Sequence, residues 1–221
     1  MTRAHWIRYA AFAGLAVLLL VIGAAMRPLV IAEEHPEPAL MSELEIGFTQ
    51  DMVAHHGQAL LMAQRLDGAA DPTVRALAQQ IADSQRTELG MMLGWLRMAH
   101  AVTINPQPMA WMHEERPHAH EHSGATTATA APTAAATMPG MATMDELDAL
   151  AAARGVDAEV RFLRLMHRHH AGGIQMAQTA DRLLASGIVK QAARDMFDTQ
   201  TREAGLLGLL LTQRVPADAP R

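Results

Sequence analysis

Two pairs of adjacent histidines, His55-His56 and His169-His170, have the clearest potential for chemistry in this sequence. Both lie inside one spacing, F-x3-M-x2-HH-x5-MA, which begins at Phe48 and recurs 114 residues later at Phe162. At 100° per residue, the named positions of this spacing fall within an arc of about 120°, the width of a core-facing stripe on a helix. The pattern therefore predicts two helices whose imidazoles face the protein interior.

Methionines at matched offsets add sulfur to both stripes. A chain with 16 Met, 12 His and no Cys can offer imidazole and thioether together, the ligand mix expected for copper, with Cu(I) favoured and Cu(II) possible. His167 lies about 100° around the helix from Met166 and is predicted to be exposed. The predicted metal ligands on the two stripes are His55, His56, Met52, Met62, His169, His170, Met166 and Met176.

Polar residues on two further helices would accompany these stripes. Aligning the halves, with one residue inserted at a turn, brings Gln85 onto Gln200 and Glu88 onto Glu203. The two glutamates are predicted to fix imidazole tautomers beside a metal site. The alternative is that the histidines are core residues bonded to these side chains and set helix register, while the methionines only fill space.

Composition limits the function classes. Half of the 221 residues are hydrophobic and only 4 % are aromatic, so the core must use Leu, Ala, Val and Met, which favour helix. The net charge of −5 and the lack of a basic run argue against nucleic-acid binding. The absence of cysteine excludes disulfides and cysteine-ligated zinc, and it fits a protein outside the cytoplasm.

The N-terminus carries a targeting or anchoring element. Arg3 and Arg8 precede an apolar run over residues 9–26, so residues 1–32 are predicted to be a transmembrane anchor or a signal segment. Positive charge before the run places the rest of the chain outside the cytoplasm. We therefore expect a protein of the cell envelope, periplasmic or extracellular, held by a membrane helix, or secreted if cleavage follows Ala25 or Ala32.

Helical periodicity predicts two hairpins. A spacer at residues 33–40 leads to the first hairpin, residues 41–104, which has Ser42 as a helix N-cap and Pro72 opening its second helix. Residues 144–214 form the second hairpin and residues 215–221 a tail. Each hairpin alone would expose its stripe, so the predicted fold is all-α, an antiparallel four-helix bundle built from two repeated hairpins.

Residues 105–143 read as a flexible linker without a burial pattern. This tract is rich in histidine and methionine, and it either gathers metal or serves as a solubilising spacer. Its candidate metal-gathering residues, continuing to the start of the second hairpin, are Met109, Met112, His113, His118, His120, His122, Met138, Met141 and Met144.

With these residues, the sequence resembles the domain of unknown function 305 family over residues 41–212. That family is a ferritin-like four-helix class of bacterial envelopes, with members that bind copper. The second half departs at Leu206, Leu207 and Leu210, which leaves its implied copper site incomplete. The marks of the resemblance beyond the two stripes are Gln85, Glu88, Met91, Met92 and Trp95, with Gln200 and Glu203 in the second half, and the resemblance adds Glu88, Glu203, Met91 and Met92 to the candidate metal set.

The sequence thus favours an extracytoplasmic copper-binding protein that sequesters or hands on copper, without turnover, with a delivery or efflux protein as a possible partner. One alternative is a ferritin-like metal-dependent oxidase, but neither stripe carries the Glu-x2-His motif of di-iron sites. The other is a purely structural or interaction bundle.

Overall fold

The computed structural model describes residues 3–30, 39–113 and 138–214. Within those ranges the regular structure is entirely helical, which confirms the predicted all-α class, while the ferritin-like assignment stays a prediction. The chain divides into two units, Met1–Pro38 and Ala39–Arg221. Its helices are α1 (Arg3–Val30), α2 (Glu43–Arg65), α3 (Pro72–Met98), α4 (Met144–Ala152), α5 (Gly155–Leu183) and α6 (Ile188–Arg214), with a 3-10 turn at Ala110–His113.

The first unit contains α1. Its segment His5–Ala24 has a mean hydropathy of 2.1 and is long and apolar enough to cross a membrane. A signal segment near an N-terminus meets the same criteria. The helix is therefore consistent with either secretion or membrane anchoring, as the sequence predicted. The predicted spacer falls largely on residues 31–38, outside the described residues.

Local sequence signals fix the ends of the hairpin helices. Ser42 caps α2 in a capping box, in which the Ser42 hydroxyl accepts a hydrogen bond from the Glu45 amide while the Glu45 carboxylate accepts one from the Ser42 amide. Asp71 caps α3, which begins at Pro72 as predicted. The connections between α2 and α3 and between α5 and α6 are short, so each pair forms a hairpin.

The hairpins meet through α2 and α5. Met52 of α2 shares a cluster with Met176 of α5, whereas Met62 shares the other cluster with Met166. The two helices therefore run antiparallel, with both histidine pairs between the clusters. We call the intervening polar residues the histidine layer: His55, His56, Gln85, Glu88, His169, His170, Gln200 and Glu203.

The histidine layer separates two halves of the apolar core. The methionine-rich half-core consists of Met41, Phe48, Met52, Met92, Met109, Trp111, Met138, Met176, Ala177, Ala180, Leu184, Val189, Ala192, Ala193 and Met196. The aliphatic half-core consists of Ala59, Met62, Val74, Leu77, Ala78, Ile81, Ala142, Leu147, Leu150, Phe162, Leu163, Leu165, Met166 and Leu207.

Both ends of the predicted linker differ from expectation, because they pack into the methionine-rich half-core. Met109, Trp111 and Met138 are buried, with exposed fractions of 7 %, 4 % and 6 %. Residues 105–113 and 138–143 are short and irregular, so they have no period that would reveal burial in the sequence. The candidate tract His118, His120 and His122 lies in residues 114–137, outside the described residues.

Candidate metal centre

The structure brings most predicted ligands into the core. Glu88 sits at the edge of the histidine layer with 17 % of its side chain exposed, and Met91 is 39 % exposed on the solvent side of α3. His167 is exposed, as predicted. The fully buried candidates are His55, His56, His169, His170, Met52, Met62, Met92, Met166 and Met176, and Glu203 is 3 % exposed.

The second histidine of each pair contacts the predicted glutamate of its own hairpin. His56 Nε2 lies 2.6 Å from Glu88 Oε2, and His170 Nε2 lies 2.9 Å from Glu203 Oε2. Each glutamate is on the helix that follows the histidine helix, so the repeat in sequence becomes a repeated interhelical contact. A carboxylate oxygen can only accept, so each Nε2 is a donor.

The first histidine of each pair stacks across the interface between hairpins. The His55 and His169 ring centroids are 3.7 Å apart, with 31° between the ring planes. His55 Nε2 donates to the Pro139 carbonyl at 3.2 Å, and His169 Nε2 donates to the His55 carbonyl at 3.0 Å. The stack is therefore anchored by backbone oxygens on both sides.

These contacts define the tautomers of three of the four rings. Because Nε2 of His55, His56 and His169 each faces an oxygen acceptor, a neutral ring there keeps its proton on Nε2 and leaves an unprotonated Nδ1. All three Nδ1 atoms are buried without a hydrogen-bond partner among the described residues. A buried imidazole whose far nitrogen is held by an oxygen is oriented to give its other lone pair to a metal ion.

His170 differs from the other three rings. Its Nε2 faces Glu203 and its Nδ1 faces the Met166 carbonyl at 3.0 Å, so oxygen acceptors face both nitrogens. Neither nitrogen of this ring is open to a further ligand. His170 therefore serves as a brace within the second hairpin unless it rotates.

Burial keeps the stacked rings uncharged. Burial, reinforced by the neighbouring His56, lowers the pKa of His55 to about 3. Burial, reinforced by the neighbouring His55, holds the pKa of His169 well below its ordinary value. Both rings are therefore neutral at physiological pH, the form that binds metal.

Two buried amides complete the histidine layer. Gln85 and Gln200 are each 1 % exposed, and neither side-chain nitrogen nor oxygen has a partner among the described residues. Gln200 lies against Gly173, where an added Cβ would overlap the amide. An unpaired buried polar atom costs about 1–3 kcal/mol, so this layer is polar well beyond the needs of packing.

Sulfur is the remaining donor on both sides of the layer. Among residues 3–30, 39–113 and 138–214, no three histidine or carboxylate side chains converge so that they could hold one metal ion. Met52 and Met176 flank the layer on one side, and Met62 and Met166 on the other. Copper would therefore fit this layer as a soft ion on one or two Nδ1 atoms plus thioether sulfur.

Residues 138–143, the crossing segment, cover the stack; Met138 and Met141 were named as metal-gathering candidates, but Pro139 and Ala142 were missed. Gln58 pairs with Ala142 through two hydrogen bonds of 2.9 and 2.6 Å. A Cβ on Gly172 would overlap the Pro139 carbonyl, so glycine there admits the oxygen that holds His55. The adjacent glycines at 172 and 173 inside a helical pattern were the available signal.

Asp51 was also missed. This fully buried carboxylate accepts hydrogen bonds from the Met109 amide at 2.7 Å, Trp111 Nε1 at 2.8 Å and Asn105 Nδ2 at 3.0 Å. Burial raises the pKa of Asp51 against the opposing effect of these hydrogen bonds. An acid at the edge of the core-facing stripe was the available signal.

Comparison with known protein families identifies the family of this chain. Residues 45–211 match the family described as Domain of unknown function (DUF305). The chain belongs to the DUF305 family. No match was found among curated proteins.

Solved structures share the fold of this DUF305 chain. A DUF305 protein from Streptomyces coelicolor, described as a secreted protein, is 33 % identical with a TM-score of 0.65, over 80 % of this chain and 96 % of that one. A DUF305 fragment from Deinococcus radiodurans is 29 % identical with a TM-score of 0.62, over 78 % and 97 %. CopM in its Cu(II)-bound form is 21 % identical with a TM-score of 0.54, over 77 % and 97 %, a likeness that extends to the fold alone.

Proposed function

We propose that this DUF305 protein binds copper outside the cytoplasm and stores or hands it on without turnover. Cu(I) is the favoured cargo, bound by Nδ1 of His55, His56 or His169 with sulfur from the flanking methionines. The observation that carries the proposal is the set of three buried Nδ1 lone pairs, each fixed by an oxygen acceptor on the opposite ring nitrogen. A purely structural histidine core would leave these three atoms unpaired at a cost.

The two halves then have different roles in the proposal. His56 offers a ligand while Glu88 holds its far nitrogen, and His170 with Glu203 holds the second hairpin together. One mixed nitrogen and sulfur centre, biased to the first hairpin, follows from this difference. CopM has been determined with Cu(II) and with Cu(I) bound, and its fold is shared by this chain, which is compatible with the proposal. The proposed ligands follow from the contacts of this chain alone.

The secretory or anchoring helix supports the location. The apolar span of α1 lies at the N-terminus, and the Streptomyces relative is described as secreted. Outside the cytoplasm cysteine thiols oxidise to disulfides, whereas histidine and methionine side chains do not form them and stay available to copper. A partner that delivers or removes copper belongs to the proposal, and it would meet the folded unit outside the membrane.

The tautomers can be tested before any metal is added. Long-range proton–nitrogen NMR on histidine-labelled protein should show Nδ1 unprotonated in His55, His56 and His169. Adding one equivalent of Cu(I) under anaerobic conditions should move these Nδ1 resonances far more than the Nε2 resonances. Protonated Nδ1 atoms, or no change with Cu(I), would remove the basis of the proposal.

A competition titration with a chromophoric Cu(I) chelator measures affinity. His56→Ala should weaken binding at least tenfold, because one of the available nitrogen ligands is lost. His167→Ala, on α5 beside the second pair but exposed, is the matched control and should bind as the wild type does. Equal affinities in the two variants would speak against the histidine layer as the site.

A further inference from the structure

The two half-cores are built from different side chains although they occupy equivalent places on either side of the histidine layer. Seven of the 15 buried residues in the methionine-rich half-core are methionine and one is leucine. In the aliphatic half-core two of 14 are methionine and six are leucine. Because Leu and Met exchange at little cost in packing, the fold itself does not require this concentration of sulfur.

Four of these methionines belong neither to the repeated spacing nor to the candidate set implied by the family resemblance. Met41 precedes α2, Met109 and Met138 lie on either side of residues 114–137, and Met196 is on α6. All four are at most 7 % exposed. They reach the same cluster as Met52, Met92 and Met176 from four separate parts of the chain, and Met112 and Met141 pack against its edge. Separate segments have thus converged on one sulfur-rich volume.

The placement of Met109 is costly. Its φ angle is +65°, in the left-handed region that non-glycine residues rarely adopt. The Asp51 carboxylate, itself buried, holds the Met109 amide and the Trp111 indole in this position. Trp111 then packs edge-on against Phe48, with ring centroids 5.3 Å apart. Backbone strain that is held in place by a dedicated anchor is a feature of functional positions.

We propose that the methionine-rich half-core is a second copper site, made of thioether ligands alone and selective for Cu(I). This inference rests on the proposed copper function. Neutral sulfur ligands bind soft monovalent ions such as Cu(I) and Ag⁺ in preference to Cu(II) or Zn²⁺. The ligands of this site beyond Met52, Met92 and Met176 are Met41, Met109, Met138 and Met196. The buried Asp51 carboxylate at the edge of the cluster supplies negative charge that favours a cation there.

The first test uses the full chain with ¹³C-labelled methionine methyl groups and Ag⁺, a stable probe for Cu(I) sites. We expect the methyl signals of Met109, Met138 and Met196 to shift on addition of Ag⁺, and the histidine ring signals to respond to a separate equivalent. Shifts confined to the histidine rings and to Met52, Met62, Met166 and Met176 would overturn the second site. This measurement needs no variant and so does not depend on one folding.

The second test changes Met41, Met109, Met138 and Met196 together to leucine, which preserves side-chain volume. The variant M41L/M109L/M138L/M196L should lose one equivalent of Ag⁺ or Cu(I) and keep the affinity of the histidine layer within about threefold. The control M98L changes an exposed methionine, 57 % exposed, and should lose nothing. Unchanged stoichiometry in the fourfold variant would refute the second site while leaving the proposed function intact, whereas a wild type that takes up no Cu(I) would refute both.

Discussion

The two hairpins carry the same histidine–glutamate pair in different chemical environments. In the first, His56 keeps a free Nδ1 and its partner Glu88 is partly exposed. In the second, both nitrogens of His170 face oxygen acceptors and Glu203 is buried. The repeated sequence therefore fixes where the side chains stand, while the immediate surroundings decide whether a ring is available to a ligand.

Other equivalent positions of the two hairpins also carry side chains of different chemistry. Met92 of the first hairpin corresponds to Leu207 of the second, and both are fully buried. Asp51 corresponds to Leu165, so only the first hairpin has a polar anchor for residues 105–113. At these positions the first hairpin carries sulfur, a polar anchor and a free Nδ1 on its second histidine, whereas the second hairpin carries leucine and a closed His170–Glu203 contact.

The stacked rings are buried alike in the two hairpins, and acid should reveal this likeness with the largest effect. The folded pKa of His55 is about 3 and that of His169 is also lowered, whereas unfolded imidazoles titrate near 6.5. The unfolded chain therefore binds protons below pH 6.5 that the folded chain does not. The unfolding free energy is therefore highest above pH 6.5 and decreases as pH falls towards the lowered folded pKa values, at up to roughly 1.4 kcal/mol per pH unit for each ring.

Urea unfolding at pH 7, 6 and 5 measures this slope. His55→Leu should reduce the slope by about one ring's share, and His167→Ala should leave it unchanged. If His55→Leu unfolds with the wild-type pH dependence, the stacked rings do not titrate as their burial requires. The two hairpins would then differ in the protonation of these rings as well.

Truncating the second histidine of each pair should separate the hairpins most directly. His170→Ala leaves the buried Glu203 carboxylate unpaired and should cost about 3–5 kcal/mol of unfolding free energy. His56→Ala removes the same ring volume, but Glu88 can take up water, so its cost should be about 2 kcal/mol lower. Copper affinity should follow the opposite order. Equal losses of stability in the two variants would show that the pairs are equivalent after all.

The sequence was sufficient for the periodic parts of the molecule. The spacing around His55 and His169 predicted their burial, and the alignment of Glu88 with Glu203 predicted the two carboxylate contacts, because both depend on helical period and short hairpin loops. The N-cap Ser42 and the helix-opening Pro72 likewise predicted two helix starts.

Helical periodicity could not predict the tertiary contacts of the irregular segments. Residues 105–113 are anchored by one carboxylate, Asp51, and the crossing segment by Gln58 and the space above Gly172. None of these contacts repeats along the chain. The stacking of His55 on His169 likewise depends on how α2 and α5 dock, which the long linker leaves open in sequence.

Replacing Asp51 by leucine, the residue at the equivalent position of the second hairpin, tests whether the polar anchor distinguishes the halves. D51L leaves the Met109 amide and the Trp111 indole without an acceptor and should cost about 2–4 kcal/mol. Hydrogen exchange should accelerate across residues 105–113 and stay slow in α5. D51N, which retains an oxygen acceptor, is the matched control. Unchanged exchange in D51L would mean that apolar packing alone holds Met109 and Trp111.

The smallest effect is expected at positions 58 and 172, where the two hairpins hold the crossing segment differently. Gly172→Ala would place a methyl group against the Pro139 carbonyl, so the segment must move, at a cost of about 1–3 kcal/mol. Gln58→Ala removes two hydrogen bonds to Ala142 without a clash and should cost about 1–2 kcal/mol. Only Gly172→Ala displaces the oxygen that holds His55 Nε2, so only this variant should speed modification of His55 by diethyl pyrocarbonate, read by mass spectrometry. If both variants expose His55 equally, the segment is held as one unit and the Pro139 carbonyl has no separate role in orienting the ring.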